Sequence, residues 1–309
     1  MTSVETMPTD VEGFHLRREA PDAPWRLDPL PSDEQVRDFY EQRYYALVRA
    51  GERGPDVGRL AAGGPDAEAE RGWLRQTLYA DVTALLATQA PGRRVLEIGC
   101  GTGDLLAHLR DGGFAAEGVE IADAAVAIAR GRGLPVHAGA FERHAAEWLA
   151  TGQRWDALLF MNVLEQLRDP GAVLALAHRL LAPGGALVIR SGNDFNPLQL
   201  AAEEALGYHR WWVAVPDQVS YFSRESLSAL CRTAGFEPVH AQGDFPMELF
   251  LLLGFDYLGD RALGGDLHRR RRAFELALPA EVRRAMYARL AEAGIGRCIL
   301  LVARRDEAA

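Results

Sequence analysis

The sequence predicts an α/β protein built on a seven-stranded, mostly parallel sheet with helices on both faces. Three observations lead to this. From Arg93 onward, short apolar runs alternate with helical segments, the order that produces right-handed crossovers and a covered parallel sheet. Each run is bounded by Gly, Pro or Asp, residues that punctuate strands. The first run leads into glycines at alternate positions and then a helix, a turn that lets backbone approach a ligand closely.

The elements follow in order. Residues 1–31 hold five prolines and many charges without a period, and read as a loosely ordered arm or strap. Ser32 opens a helix whose apolar positions Val36, Phe39, Tyr40, Tyr44 and Leu47 recur at three- and four-residue steps. A Gly- and Pro-rich break over 51–65 precedes a second helix over about 67–89. The two helices are expected to cap the mouth of the sheet. Residues 1–90 are then arm and cap, and 91–309 the sheet domain. RRVLEI, AAEGVE, LPVHA, WDALLFM and GALVIR are the first five strands. Helices lie between them, near 104–111, 123–131, 142–151 and 172–181. A helix over 224–235 leads to a sixth strand at 236–241, and IGRCILLVAR forms a seventh. Two insertions, at about 192–223 and 243–295, are expected to shape a substrate pocket.

Composition narrows the function. A 309-residue chain buries about three quarters of its unfolded surface and needs no disulfide or metal staple. Net charge −9 disfavours a nucleic-acid groove, which needs basic residues against phosphates. All 34 basic residues are arginine, which excludes a Schiff-base lysine and a Walker-type phosphate loop. Cys100, Cys231 and Cys298 are widely spaced, giving neither a disulfide framework nor a zinc signature. The apolar stretch 249–255 is too short to span a bilayer, and the N-terminus lacks an apolar signal core. The expectation is a cytoplasmic protein without membrane, metal or nucleic-acid contacts, acting as a monomer or homodimer. The run His268–Arg272 is expected on a solvated helix face; arginines turned inward would favour an anionic acceptor.

The strongest signal is VLEIGCGTGDLL, residues 95–106, in which a strand carrying Glu97 passes through Gly99, Gly101 and Gly103 into a helix. Its spacing is GxGxG, not the GxGxxG of dinucleotide folds. A second acid, Glu120, closes the next strand, where a carboxylate can accept hydrogen bonds from ribose hydroxyls. Together these residues resemble the class I S-adenosylmethionine-dependent methyltransferases, over roughly 93–241 and more loosely the last strand. The resemblance implies a Rossmann-like fold with S-adenosylmethionine as cofactor. It places Glu97, Gly99, Cys100, Gly101 and Gly103 at the cofactor's methionine part, Glu120 at the ribose and Ile121 beside the adenine. Phe141, after the third strand, falls where the family often contacts the adenine amine, through its backbone and ring face. Asn162, after the fourth strand, would sit by the reactive end.

Two positions depart from the family pattern. Gln166 stands where a histidine commonly follows Leu164-Glu165, and Gln218 where Pro-Glu-His is usual before Tyr-Phe. Glutamine is no general base, though it donates and accepts hydrogen bonds. Methyl transfer needs little base catalysis; orientation alone supplies roughly 7–11 kcal/mol. For a hydroxyl acceptor the candidate catalytic residues are Glu165, Asp194 and His209, with Gln218 beside them. His209 can equally be an exposed member of a packed aromatic clamp. Substrate contacts are expected from Asn193, Gln166, Trp211, Tyr221 and Tyr44. The implied reaction is methyl transfer to a small-molecule acceptor, at an oxygen of a secondary metabolite or sugar-like compound. The alternative keeps the cofactor but cyclises or transfers its aminocarboxypropyl arm, releasing methylthioadenosine.

Overall fold

The computed structural model describes residues 4–32, 34–35, 59–60 and 63–305. Beyond Gln35, the helix expected from Ser32, with Phe39, Tyr40, Tyr44 and Tyr45, lies outside the described residues.

The chain opens with β1 (Glu5–Pro8), β2 (His15–Arg18) and β3 (Trp25–Asp28). These antiparallel strands are joined by β9 (Ser220–Tyr221) into a four-stranded sheet. The loosely ordered arm expected here is therefore corrected. WRLD alternates apolar and polar residues, and its Trp25 and Leu27, with Leu16 of HLRR, bury one face against Tyr221.

Two helices follow, α1 (Gly64–Gln76) and α2 (Leu78–Gln89), where one was expected. The break falls at Thr77, whose hydroxyl turns back to donate to the Trp73 carbonyl at 2.7 Å. The second of the two is not a cap: Val82 and Leu86 of α2 pack on the sheet with Val95 and Val188.

The main sheet has seven strands in the order β10-β11-β8-β7-β4-β5-β6. They are β4 (Arg94–Ile98), β5 (Ala115–Glu120), β6 (Val136–Ala138), β7 (Trp155–Met161), β8 (Leu181–Gly192), β10 (Phe236–Gly243) and β11 (Cys298–Arg305). β4 to β8 are parallel, and β11 runs antiparallel between β8 and β10. Helices α3 (Asp104–Asp111), α4 (Asp123–Gly131), α5 (Phe141–Ala150), α6 (Pro170–Leu180) and α8 (Arg224–Thr233) connect them. Because strand side chains alternate, Val95, Ala157, Leu159 and Val188 feed the core under α2. Leu96, Leu158, Phe160 and Ile189 feed the core on the opposite face. The strand order reverses between β4 and β7, and in such sheets the ligand crevice opens at the strands' carboxyl ends there.

The insertions supply α7 (Pro197–Leu206) with β9, and α9 (Glu248–Leu252), α10 (Arg261–Ala277) and α11 (Ala280–Glu292). The solvated face expected for His268–Arg272 holds for Arg269 and Arg270, whose side chains are 59% and 71% exposed. The other three turn inward. His268 Nε2 lies 2.9 Å from the buried Glu70, Arg272 donates to the same carboxylate, and Arg271 reaches Asp244 at 3.2 Å. Buried acids draw these cations in, since an unpaired carboxylate there is costly. These three are thus tied to carboxylates of the fold, and the run presents no inward cation cluster to an anionic acceptor.

Candidate active site

A cavity of about 540 Å³ opens at the carboxyl ends of β4 and β7. Its lining includes Gly99, Glu120, Ile121, Met161 and Asn162 at the strand ends, together with Pro31, Arg168, Pro216 and Asp217. Gly99 has φ +72°, and a Cβ there would come within 2.4 Å of Val163, so glycine lets the loop pass against the turn after β7. At Gly101, φ is +52° and a Cβ would meet nothing within 4 Å. The outer side of the loop at Gly101 is thus open, while the Gly99, Cys100, Gly101 and Gly103 amides are hydrogen-bonded within the protein.

Two carboxylates flank the glycine loop: Glu120, in the cavity lining, and Glu97, buried in β4 and outside that lining. Glu120 accepts from the Gly101 and Ala122 amides, both at 2.8 Å, one on each oxygen. That clamp fixes the carboxylate's plane and leaves lone pairs for a vicinal diol. Glu97 is 4% exposed, and burial, reinforced by the charges of Glu120 and Asp104, pushes its carboxyl up to about 8. Among the described residues its Oε2 has no hydrogen-bond partner. A buried carboxyl oxygen of this kind suits an ammonium group, which would satisfy it and hold it ionised.

The remaining residues expected at a cofactor divide. Cys100 packs its thiol under the loop against Gly118 and offers only backbone. Ile121, 74% exposed, presents an apolar surface beside Glu120. Phe141 is a correction to the expected ring contact: at 4% exposure it packs edge-on against Phe160 in the core. Asn162 stands at the cavity with φ +57°, its Oδ1 accepting from Arg190 at 2.6 Å. Gln166 also lines the cavity and reaches the Asn162 carbonyl at 3.4 Å.

None of the four expected catalytic side chains lines this cavity. Glu165 is buried and accepts from Ser191 Oγ at 3.0 Å, and burial raises its carboxyl to about 7. Asp194 is buried too and accepts from Gln218 Nε2 at 2.8 Å; burial and the Glu165 charge hold it well above the usual carboxylate range. Asp194 lines a separate cavity of about 400 Å³ with Trp25, Asn193 and Tyr221. His209 is exposed and lines neither cavity.

The expected substrate contacts fare similarly. Asn193 donates to the Gly294 and Gly296 carbonyls, pinning the loop before β11. Tyr221 is 1% exposed, its hydroxyl bridging the Ala214 amide and the Gln218 carbonyl. Trp211 packs edge-on with Tyr208 and Trp212 and lines neither cavity. Gln166 lines the first cavity, and Tyr44 lies outside the described residues. Sequence reasoning missed Pro31, Arg168, Pro216 and Asp217. Arg168 donates to the Pro31 carbonyl at 3.0 Å, joining the N-terminal strap to the turn after β7. Asp217 had one signal, its position beside Gln218.

The parallel sheet, the glycine loop and the paired acids define a class I S-adenosylmethionine-dependent methyltransferase domain. The chain belongs to the methyltransferase-domain family, whose profile matches residues 71–241. It is similar to a ubiquinone biosynthesis O-methyltransferase of Ruegeria pomeroyi, 32% identical over 170 residues, covering 51% of this chain and 66% of that protein. The counterpart from Cereibacter sphaeroides is 33% identical over 171 residues, covering 53% of this chain and 67% of its own length. The chain thus covers just under two thirds of the first of these relatives. Its fold is similar to that of a SAM-dependent methyltransferase from Archaeoglobus fulgidus, at TM-score 0.50 and 18% identity, over 85% of this chain and all of that one. Among the described residues, no helix is long and apolar enough to cross a membrane, and no cluster of His, Cys, Asp and Glu could hold a metal ion.

Proposed function

We propose that the protein transfers a methyl group from S-adenosylmethionine to an oxygen of a small-molecule acceptor. The observation that carries this is the loop end of the first cavity: Glu120 in its lining, clamped by the Gly101 and Ala122 amides and open to a diol, with the buried Glu97, one oxygen of which has no partner among the described residues, on the strand that leads into the same glycine loop. Those groups fit the cofactor's ammonium and ribose, and Ile121 offers apolar surface for its adenine. The naming of the relatives as O-methyltransferases supports an oxygen acceptor.

When bound, the cofactor supplies a methyl group already activated on a sulfonium. The protein's work is then placement, and placement in line can supply roughly 7–11 kcal/mol of the barrier. Asn162 stands at the rim where the two ligands would meet, and Pro31, Leu167 and Pro216 exclude water from the acceptor side. Asp217 is the carboxylate on that wall, in place to orient an acceptor hydroxyl or take its proton. Glu120, the other acid of the cavity, is committed to the loop amides. Glu165, Asp194 and Gln218 instead support the wall from behind.

The test is mass spectrometry of S-adenosylmethionine incubated with the protein, alone and with small-molecule extract of its source organism. S-adenosylhomocysteine formed only with extract is the expected result. Methylthioadenosine formed without extract would overturn methyl transfer in favour of cyclisation or aminocarboxypropyl transfer.

A further inference from the structure

Arg190 occupies an unusual place. On β8 the positions facing the α2 side run Ala186, Val188, Arg190, so an arginine extends an apolar stripe at the strand's carboxyl end. Its register partner on β7 is Met161, which lines the first cavity. The Arg190 side chain is only 15% exposed.

Three contacts fix it to Asn162 and to the insertion. The Arg190 carbonyl accepts from the Asn162 amide at 2.8 Å, and its Nη1 donates to Asn162 Oδ1 at 2.6 Å. Its Nη2 lies 3.5 Å from Asp244 Oδ2. Asp244 in turn receives Arg271 of α10 at 3.2 Å and the Cys298 amide at 2.8 Å. Arg271 continues to Glu275, which Trp73 of α1 and Tyr287 of α11 also bond. A continuous polar chain thus runs from the packed helices of the insertion to one residue at the cavity rim. That residue is in the left-handed region at φ +57°, which asparagine tolerates only at some cost and which surrounding contacts must hold.

We infer that Arg190 is a positioning residue of the cofactor site, holding Asn162 in its left-handed conformation through a guanidinium anchored on Asp244. The inference rests on the proposed cofactor reading. One planar guanidinium spans both anchors at once, a geometry a lysine ammonium does not reproduce. Losing Arg190 leaves Asp244 bonded to Arg271 and Cys298, so that carboxylate is not stranded and the fold has reason to persist.

The experiment is a double-mutant cycle on S-adenosylhomocysteine affinity by calorimetry, with the melting temperature of each variant measured alongside. Arg190→Met is expected to weaken binding about tenfold, or 1.4 kcal/mol. Asn162→Gly removes both the side-chain acceptor and the need to enforce positive φ. In that background Arg190→Met should cost less than about threefold further, because the pair then no longer couples. Should Arg190→Met fail to fold, Arg190→Lys serves in both backgrounds, with a loss only where Asn162 is present. Wild-type protein that binds tightly, with Arg190→Met or Arg190→Lys binding as tightly or losing equally in both backgrounds, overturns the inference alone. Wild-type protein that does not bind S-adenosylhomocysteine overturns the cofactor reading and the inference with it.

Discussion

Glu97→Gln tests the chemistry of the proposed cofactor site most directly. With its carboxyl raised from 4.5 to about 8, Glu97 is protonated at neutral pH in the ligand-free protein. The largest cause is burial, followed by the charges of Glu120 and Asp104. The unfolded chain ionises near 4.5 and the native protein near 8, so the native state holds the extra proton between them. Stability therefore falls as pH rises through that window, by at most about 5 kcal/mol. Glu97→Gln should remove this slope and leave the variant the more stable protein at pH 9. Binding is expected to do the reverse. An incoming ammonium favours the ionised carboxyl, so binding at pH 7 should expel close to one proton, and affinity should fall about tenfold for each pH unit below 8. Calorimetric titration of S-adenosylhomocysteine in phosphate and in Tris, whose ionisation enthalpies differ, measures that proton. The glutamine variant should bind more weakly with the same heat in both buffers. Wild-type heats independent of buffer, or a buffer dependence surviving in the variant, would refute the pairing of Glu97 with an ammonium.

Three further outcomes follow from the same contacts. Glu120→Ala removes the acceptor of two loop amides as well as the diol site, and should weaken S-adenosylhomocysteine binding by at least ~1–3 kcal/mol; unchanged calorimetric affinity would show that the ribose lies elsewhere. Gly99→Ala sets a methyl 2.4 Å from Val163 at φ +72°, and should cost about 1–3 kcal/mol in urea unfolding together with cofactor affinity. Asp81→Ala strands the buried Arg283, which donates to it at 2.9 Å, and should destabilise by about 3–5 kcal/mol, whereas Asp81→Leu with Arg283→Met should recover much of the loss.

The strands and the glycine loop were legible because their signals are local: apolar runs set by strand alternation, and glycines where the backbone turns left-handed. The N-terminal sheet was not, because Trp25 and Arg26 pair with Tyr221 and Ser220 in a distant insertion, and five prolines hid the alternation of WRLD. His268, Arg271 and Arg272 looked solvated because Glu70 and Asp244, the acids that draw them inward, come from other segments. The site itself turned on single-residue offsets. Within the turn after β7, Glu165 rotates onto Ser191 while its neighbour Gln166 lines the cavity. In the second segment Gln218 reaches back to Asp194, and Asp217 beside it meets the cavity instead. A motif locates such a segment to within a residue or two, but which side chain faces the ligand depends on a turn's rotation, set by packing against distant strands. The two glutamines at expected histidine positions therefore belong to different structures: one edges the pocket, and the other braces a buried carboxyl behind its wall.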